Sequence, residues 1–257
     1  MKPTKPQTIL ITGATGAIGG ALARYYAAPG VCLILHGRNA AHLDETAAHC
    51  RAAGAEVSTI QLDLRDIPAL QKKLAEIAAE RLPDLVIANA GVNINTGENR
   101  AGEQWDDIEA LLDINIKATF ALVNSLIPAM RQRGSGQIAL ISSLAAYYGL
   151  PVTPSYSASK AAIKTYGEGL RGWLAHDGIQ VNVVMPGYVE SAMCHAMPGP
   201  KPFLWTPEKA AGFIARGLQQ NKARISFPFP LNIGTWFLAV LPPSWSERIL
   251  LLLNYGG

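Results

Sequence analysis

The sequence predicts an α/β fold in which a doubly wound parallel sheet of about seven strands carries helices on both faces. Seven short runs rich in Ile, Leu and Val lack polar alternation, which is typical of strands buried on both faces. Helical stretches separate these runs, and this order favours a parallel sheet. A glycine-rich turn at residues 12–19 joins the first run to the first helical stretch, as in folds that bind a nucleotide.

The predicted elements follow one another regularly along the chain. The strands are predicted at residues 8–12, 31–37, 57–62, 85–89, 137–142, 180–185 and 224–227. The helices are predicted at residues 17–28, 40–53, 68–81, 104–133, 155–176 and 207–219. The stretch 104–133 is long for one helix, at about 30 residues against a usual 8–20, so we expect a break near Pro128. No repeat or low-complexity linker divides the chain, so residues 1–257 are predicted to form a single domain.

Two loops interrupt the alternation of strands and helices, at residues 92–102 and 188–205. Both follow strand ends, and ligands of open α/β sheets bind beyond the carboxyl ends of the strands. The loops are therefore predicted to wall a ligand site, with a plain surface connection as the alternative. The second loop contains Met193, Met197, Phe203 and Trp205, which suits a hydrophobic or amphipathic ligand better than a sugar.

Composition excludes several classes of function. Hydrophobic residues make up 49% of the chain and charged residues 16%, with a net charge of +3, so no nucleic acid partner or disordered tail is predicted. Cys32, Cys50 and Cys194 are widely spaced and no histidines cluster at ligand spacing, so neither a disulfide scaffold nor a metal site is expected. The N-terminus does not read as a signal peptide and no run of eighteen apolar residues occurs, so a cytoplasmic protein is predicted.

The glycine-rich turn is the first candidate binding site. Gly13, Gly16 and Gly19 lie between a strand and a helix, where glycine lets the backbone turn tightly and approach a pyrophosphate at the helix N-terminus. A tight turn without a ligand is the alternative.

The end of the second strand indicates which dinucleotide would bind. An NAD site usually has a carboxylate there for the ribose hydroxyls, but this strand ends in His36, Gly37, Arg38 and Asn39. Arg38 offers a fork of donors to a 2′-phosphate, so NADP(H) is favoured over NAD(H). A solvated arginine at a helix start is the alternative.

A second group of residues predicts acid–base chemistry. Tyr156 and Lys160 are four residues apart and would share one face of a helix. A nearby ammonium stabilises tyrosinate, which makes the phenol usable as a general acid or base. Ser143 ends the apolar run before this helix and could hold a carbonyl oxygen in the same crevice. A strand-end cap is its alternative role.

In this order and spacing, the motifs resemble those of the short-chain dehydrogenase/reductase family, in its single-domain branch with a Rossmann fold. The matching motifs are TGATGAIG at 12–19, Asp63 with Leu64, NAG at 89–91, Asn115, ISS at 141–143, YSASK at 156–160 and PGYVES at 186–191. The resemblance implies that Ser143 orients a carbonyl, Tyr156 transfers the proton and Lys160 binds the nicotinamide ribose and tunes Tyr156. Asn115 would help to hold a water joined to Lys160.

The same resemblance implies a set of cofactor-binding residues. They are Gly13, Thr15, Gly16, Ile18, Gly19, Arg38, Asp63, Asn89, Ala90, Gly91, Tyr156, Lys160, Pro186, Gly187, Val189 and Ser191. Two positions depart from the pattern of this branch: Ala17 stands where it has its middle glycine, and Ser191 replaces the usual threonine. Both replacements are small, so we expect cofactor binding to survive.

Residues 228–257 form an apolar C-terminal extension, for which two short helices are predicted. Pro242, Pro243, Glu247 and Arg248 interrupt it, so it cannot span a bilayer as one helix. Packing on the chain's own core, contact within a homo-oligomer, and contact with a membrane or a lipid substrate all stay open. The segment is predicted to border the substrate entrance, which would allow a peripheral position at the inner face of a membrane.

The sequence thus predicts an NADPH-dependent reductase that transfers hydride to the carbonyl of a hydrophobic or lipid-like substrate, reversible as an alcohol dehydrogenase. The alternative is a non-catalytic protein on the same fold that senses NADP or binds a partner.

Overall fold

The computed structural model describes residues 6–97, 101–197 and 199–253. Its sheet has seven parallel strands in the spatial order β3-β2-β1-β4-β5-β6-β7. The strands are β1 (Thr8–Ile11), β2 (Cys32–Gly37), β3 (Glu56–Gln61), β4 (Leu85–Ala88), β5 (Gly136–Ile141), β6 (Ile179–Pro186) and β7 (Arg224–Phe227). The order reverses between β1 and β4, and a crevice opens at such a switch point. The predicted fold class is confirmed.

Ten α-helices in the described residues connect and flank these strands. They are α1 (Ala17–Tyr26), α2 (Ala40–Ala52), α3 (Ile67–Arg81), α4 (Trp105–Leu112), α5 (Thr119–Arg133), α6 (Pro154–Trp173), α7 (Ala192–His195), α8 (Pro207–Gln219), α9 (Leu231–Val240) and α10 (Pro243–Leu252). Several begin at the caps that their sequences provide: the side chains of Asn39, Asp66, Ser191 and Thr206 each accept a backbone hydrogen bond at a helix N-terminus.

The apolar strands divide their side chains between two core layers. Ile9 and Ile11 of β1 pack into the layer on one face of the sheet, and Leu10 between them packs into the layer on the other face. The first layer includes Leu22 of α1 and Ile214 of α8. This double burial explains why β1 reads as a continuous apolar run.

Strand β3 departs from the prediction of a strand buried on both faces. Only Ile60 among its six residues is buried, because β3 lies at the edge of the sheet and pairs with β2 alone. Its sequence, EVSTIQ, is correspondingly polar.

The expected break near Pro128 was wrong. Helix α5 continues through Pro128, and the irregularity lies earlier, at a π-helical segment, Asp113–Ala118, between α4 and α5. The whole stretch Trp105–Arg133 has 29 residues and is long and apolar enough to cross a membrane by composition, but half of its most apolar window is buried. Its side chains Leu122, Leu126 and Met130 pack into the core, so we interpret it as a core helix.

Candidate active site

The turn between β1 and α1 depends on glycine for steric reasons. Gly13 has a φ of +66°, and a Cβ there would lie 2.9 Å from the Cα of Ala90. A Cβ on Gly19 would lie 2.2 Å from the carbonyl oxygen of Gly13, closer than any real contact. The turn can therefore close tightly, and it leaves the N-terminus of α1 facing the crevice, where a pyrophosphate would bind.

Asn89 fastens this turn to the end of β4. Its side-chain nitrogen donates to the carbonyl oxygens of Thr12 (3.0 Å) and Gly13 (3.1 Å). The Thr12 hydroxyl in turn accepts from the backbone N–H groups of Asn89 and Ala90. The motif NAG at 89–91 thus supports the glycine turn as well as lining the crevice.

His36, which sequence analysis left without a role, supports the same turn from β2. Its Nε2 lies 2.9 Å from the carbonyl oxygen of Leu62, and the backbone N–H of Gly13 donates to its Nδ1 at 3.4 Å. Burial lowers the pKa of His36, which favours the neutral ring that both contacts require. Its position at a strand end beside Gly37 and Arg38 is the sequence signal that could have identified it.

Arg38 and Asp63 line the crevice beyond His36. Arg38 is exposed, and its guanidinium has no ion-pair partner among the described residues. Asp63 has one: Arg65 Nη2 lies 2.6 Å from its carboxylate, and hydrogen bonds from Arg65 lower the pKa of Asp63 to about 2. This end of the crevice therefore offers the guanidinium of Arg38 and an ionised carboxylate, Asp63, that is paired with Arg65.

Lys160 is buried under the crevice and points toward Tyr156. Its Nζ donates to the carbonyl oxygen of Ile141 at 3.0 Å and lies 5.6 Å from the centre of the Tyr156 ring. Burial lowers the pKa of Lys160 to about 8. Burial also raises the pKa of Tyr156 to about 12, although interaction with the Ser143 hydroxyl opposes that rise.

Asn115 lies behind Lys160 in the π-helical segment. Its Oδ1 accepts from the N–H of Val92 (2.8 Å), and its Nδ2 donates to the carbonyl oxygen of Val92 (2.9 Å) and to Ser159 Oγ (3.0 Å). A Cβ on Gly91 would lie 3.1 Å from Asn115 Oδ1 and 3.2 Å from Lys160 Nζ. Asn115 thus joins β4 to the catalytic helix α6, and a π-bulge at such a position is frequent at functional sites.

Ser143 follows β5 and faces the same crevice. Its hydroxyl accepts from the backbone N–H of Ala145 at 3.1 Å. Its oxygen lies 3.5 Å from the carbonyl oxygen of Pro186, a long contact for a donor, and the hydroxyl also interacts with Tyr156. That weak contact leaves the Ser143 hydroxyl able to donate to a ligand.

The segment after β6 forms the opposite wall. The N–H of Gly187 donates to the carbonyl oxygen of Phe227 at 2.7 Å, and Val189 pairs with Trp205 in an isolated bridge. Ser191 caps α7: its hydroxyl accepts from the N–H of Cys194 at 3.0 Å and donates to the carbonyl oxygen of Val189 at 3.2 Å.

One continuous cavity of about 1040 Å³ connects these groups. All of the predicted catalytic and cofactor-binding residues line this cavity except Gly19 and Asn115, which contact residues that line it. The loop 188–205 contributes Tyr188, Val189, residues 191–194 and Met197 among its described residues. Phe203 and Trp205, which were expected beside the ligand, do not line the cavity: Phe203 is exposed, and Trp205 stacks on Phe227. The loop 92–102 contributes only Val92, because Asn93, Ile94 and Thr96 bond instead to the segment before α6; residues 98–100 lie outside the described part.

The end of the cavity away from the glycine turn is apolar. Its individual residues were not among the predicted site residues. Tyr148, Leu150 and the C-terminal helices α9 and α10 form it. The residues from those two helices are Leu231, Thr235, Leu238, Ile249 and Leu250, and Leu253 directly after α10 also lines the cavity. The expectation that the extension borders the cavity therefore agrees with the structure, although no single residue could be assigned from sequence.

Comparisons with known proteins agree with this geometry. The family model described as short chain dehydrogenase matches residues 7–199. An oxidoreductase of Myxococcus xanthus is 33% identical over 237 residues, 92% of this chain and 93% of its own length. The ketoacyl reductase HetN of Nostoc is 29% identical over 255 residues, 95% of this chain and 88% of its own. The solved structure of a short-chain dehydrogenase from Sphingobium yanoikuyae in complex with NADPH superposes with a TM-score of 0.80, at 26% identity over 95% of this chain and 94% of that one.

Proposed function

This chain belongs to the short-chain dehydrogenase family, and we propose that it is an NADPH-dependent reductase of apolar carbonyl compounds. The observation that carries the proposal is the convergence of Ser143, Tyr156 and Lys160 on one cavity with a glycine turn at one end and apolar helices at the other. Membership of the family supports an oxidoreductase; the substrate and the direction of the reaction are our inference.

NADP(H) fits the residues present. The cradle that a Cβ at Gly13 or Gly19 would fill suits a pyrophosphate, with Thr15, Gly16 and Ile18 lining the same turn. Arg38, which has no ion-pair partner among the described residues, suits a 2′-phosphate, and the exposed pairing of Asp63 with Arg65 offsets part of the repulsion from that carboxylate. The Sphingobium relative was solved with NADPH, which supports the same choice. Ala90, Gly91, Pro186, Gly187 and Val189 would flank the cofactor's other end.

When bound, NADPH supplies the hydride that reaches the carbonyl carbon. Tyr156 then donates its phenolic proton to the carbonyl oxygen, and the Ser143 hydroxyl holds that oxygen by a hydrogen bond. The buried ammonium of Lys160 stabilises the phenolate that forms on Tyr156. Asn115, fixed by Val92 and Ser159, maintains the position of α6 behind these two residues.

The pKa values favour reduction over oxidation near neutral pH. A Tyr156 pKa of about 12 keeps the phenol protonated, which is the form that donates a proton to a carbonyl. A Lys160 pKa of about 8 keeps most of the ammonium charged at pH 7. Oxidation of an alcohol would need the rarer tyrosinate, so it should require a higher pH.

The substrate end of the cavity favours an apolar carbonyl compound. Met193, Met197 and Leu238 surround it, and flexible methionine side chains adapt to several shapes. The name of the Nostoc relative, a ketoacyl reductase, is compatible with a keto group on an acyl chain.

A series of ketones of increasing chain length tests this function. The rate of NADPH consumption at a fixed, low ketone concentration should rise with chain length. Burial of each added methylene contributes about 0.8 kcal/mol to the free energy of substrate binding and so lowers KM. The second candidate function is NADP sensing without catalysis, favoured if NADPH binds tightly and no member of the series is reduced.

A further inference from the structure

Helix α9 is apolar on two opposite faces. One face lines the cavity through Leu231, Thr235 and Leu238. The other carries a stripe at the helical spacing i, i+3, i+4 and i+7, which consists of Ile233, Trp236, Phe237 and Val240. These four side chains are between 43% and 57% exposed. An apolar stripe on the solvent side of a helix contributes nothing to the core, so its composition needs another explanation.

Helix α10 packs against α9, with Ser246 Oγ donating to the carbonyl oxygen of Leu238, and it too exposes apolar side chains. Trp245, Leu251 and Leu252 are exposed, Leu252 to 83%, and Phe229 is exposed just before α9. We call the set the outer apolar face, made of Phe229, Ile233, Trp236, Phe237, Val240, Trp245, Leu251 and Leu252. The family match ends at residue 199, before either helix begins.

The mouth of the cavity adjoins this face. Leu253 lines the cavity and is 55% exposed, and Met193 lines it while 41% exposed. Leu253 directly follows Leu251 and Leu252 of the outer apolar face. An apolar molecule that passed along the face and over Leu253 would therefore enter the cavity with little exposure to water.

Charge and hydrogen bonding decide what covers the face. Between residues 231 and 253 the only charged residues are Glu247 and Arg248, whose charges sum to zero; both are exposed, and Arg248 lies one helical turn from Trp245 and Leu252. Asn232, Thr235 and Ser246 use their side chains for bonds to Ser226, Leu231 and Leu238 within the chain. Protein interfaces carry about one hydrogen bond per 100–200 Å², and this face offers few groups to make them. A surface with no net charge and two tryptophans suits the interfacial layer of a zwitterionic bilayer, which also has no net charge.

The dimensions fit a surface position. Each helix has ten residues and is about 15 Å long, half of the roughly 30 Å that a spanning helix needs. A second copy of this chain on the face would also cover the adjoining mouth, whereas a lipid surface would leave the mouth open to an apolar phase.

We propose that the outer apolar face docks the protein on a lipid surface and that its apolar carbonyl substrate enters the cavity from that surface past Leu253. The first part of this proposal, docking on a lipid surface, depends only on the outer apolar face. The second part, substrate entry from that surface, which we call the entry half, rests on the proposed reductase function.

Co-sedimentation of the full chain with phosphatidylcholine vesicles, in the presence of NADPH, tests the docking. The wild-type protein should sediment with these neutral vesicles, and Trp236→Ser combined with Phe237→Ser should lower the partition coefficient about tenfold or more. Neither side chain lines the cavity, so reduction of a small water-soluble ketone should be unchanged. Leu252→Ser, at a separate exposed site, should lower the partition coefficient in the same direction. Trp105→Ser is the matched control, because Trp105 is 67% exposed but lies on α4, outside the face.

Several outcomes would overturn the docking. The first is a double variant that still binds vesicles like the wild type. The second is wild-type binding that appears only after phosphatidylglycerol is added. The third is a wild-type dimer that does not bind vesicles and that becomes a monomer in the double variant. The last outcome would assign the face to a second copy. A wild-type protein that reduces ketones but does not bind vesicles overturns the docking alone, whereas a wild-type protein that binds vesicles but reduces no ketone overturns the proposed function alone.

Substrate delivery tests the entry half. A long-chain ketone dissolved in the vesicles should be reduced at least about tenfold more slowly by the double variant than by the wild type, while the small ketone is reduced equally. Equal rates on both ketones would overturn entry from the lipid surface.

Discussion

Lys160 Nζ lies 5.6 Å from the centre of the Tyr156 ring and donates to the carbonyl oxygen of Ile141 at 3.0 Å. The bond to Ile141 holds the ammonium at the end of β5 and one helical turn from the phenol. Lys160 is buried and Tyr156 is half-buried at the cavity wall, so solvent would screen the charge on Lys160 from a tyrosinate at Tyr156 only in part.

This pair predicts opposite pH profiles for the two directions of the reaction. Reduction needs neutral Tyr156 and benefits from charged Lys160, so its kcat should stay nearly level up to about pH 7, fall to about half near pH 8, the Lys160 pKa, and keep falling above it. Oxidation needs tyrosinate, whose population rises tenfold per pH unit below a pKa of about 12, so its kcat should climb through the alkaline range. Steady-state rates in both directions from pH 6 to 10 measure this, and parallel profiles would contradict it.

Arg38 should set the choice of cofactor. Arg38→Asp removes one charge-assisted contact with a 2′-phosphate, worth about 1.5–3 kcal/mol, and adds repulsion. We expect NADPH to bind roughly ten- to a hundredfold more weakly and NADH to become the tighter ligand. Fluorescence titration with both nucleotides measures the two Kd values. Arg24→Asp is a control on the surface of α1. A wild-type protein with equal affinities for NADPH and NADH would exclude this role.

Gly19 should tolerate no side chain. In Gly19→Ala the new Cβ would lie 2.2 Å from the carbonyl oxygen of Gly13, so the turn must open and the cradle is lost. We expect NADPH binding to fall below detection and Tm to drop by several degrees. Gly172→Ala is the matched control: Gly172 is also helical, a Cβ there meets nothing within 4 Å, and alanine should stabilise it. Unchanged NADPH affinity in Gly19→Ala would show that the turn is not the binding site.

Glu103 should position the catalytic helix without touching the substrate. Its carboxylate accepts from Ser155 Oγ at 2.5 Å and from the Ser155 N–H at 3.2 Å, one residue before Tyr156. Glu103→Ala should cost about 1 kcal/mol of unfolding free energy, the usual worth of a helix cap. It should also lower kcat severalfold, with KM for a small ketone nearly unchanged, whereas Glu103→Gln should recover most of both. A Glu103→Ala variant that unfolds earlier but keeps full kcat would leave Glu103 with a purely structural role.

The fold and the chemical groups could be read from the sequence because both depend on local patterns. Apolar runs such as TILI in β1 identify buried strands, and the spacing of Tyr156 and Lys160 places them on one helical face. Arg38 was identifiable because the residue that follows the second strand distinguishes the two cofactors: a carboxylate there indicates NAD(H), and a cation indicates NADP(H). Each of these signals lies within a few residues of sequence.

What the sequence could not reveal depends on contacts between distant segments. His36 supports the glycine turn only because β1, β2 and Leu62 meet in space. The π-helical turn at Asn115 could not be found from composition, and Pro128 was a misleading signal because the helix tolerates it in its interior. The two faces of α9 became distinguishable only once the cavity showed which side was covered.

The most direct test of the central claim is the turnover of Tyr156→Phe with NADPH and a ketone that the wild-type protein reduces. Phenylalanine keeps the ring and removes only the proton donor, so NADPH affinity should stay within about twofold, while kcat should fall by about a hundredfold to ten-thousandfold. That result would establish Tyr156 as the general acid of a carbonyl reductase. A variant that binds NADPH and reduces the ketone at the wild-type rate would contradict the account.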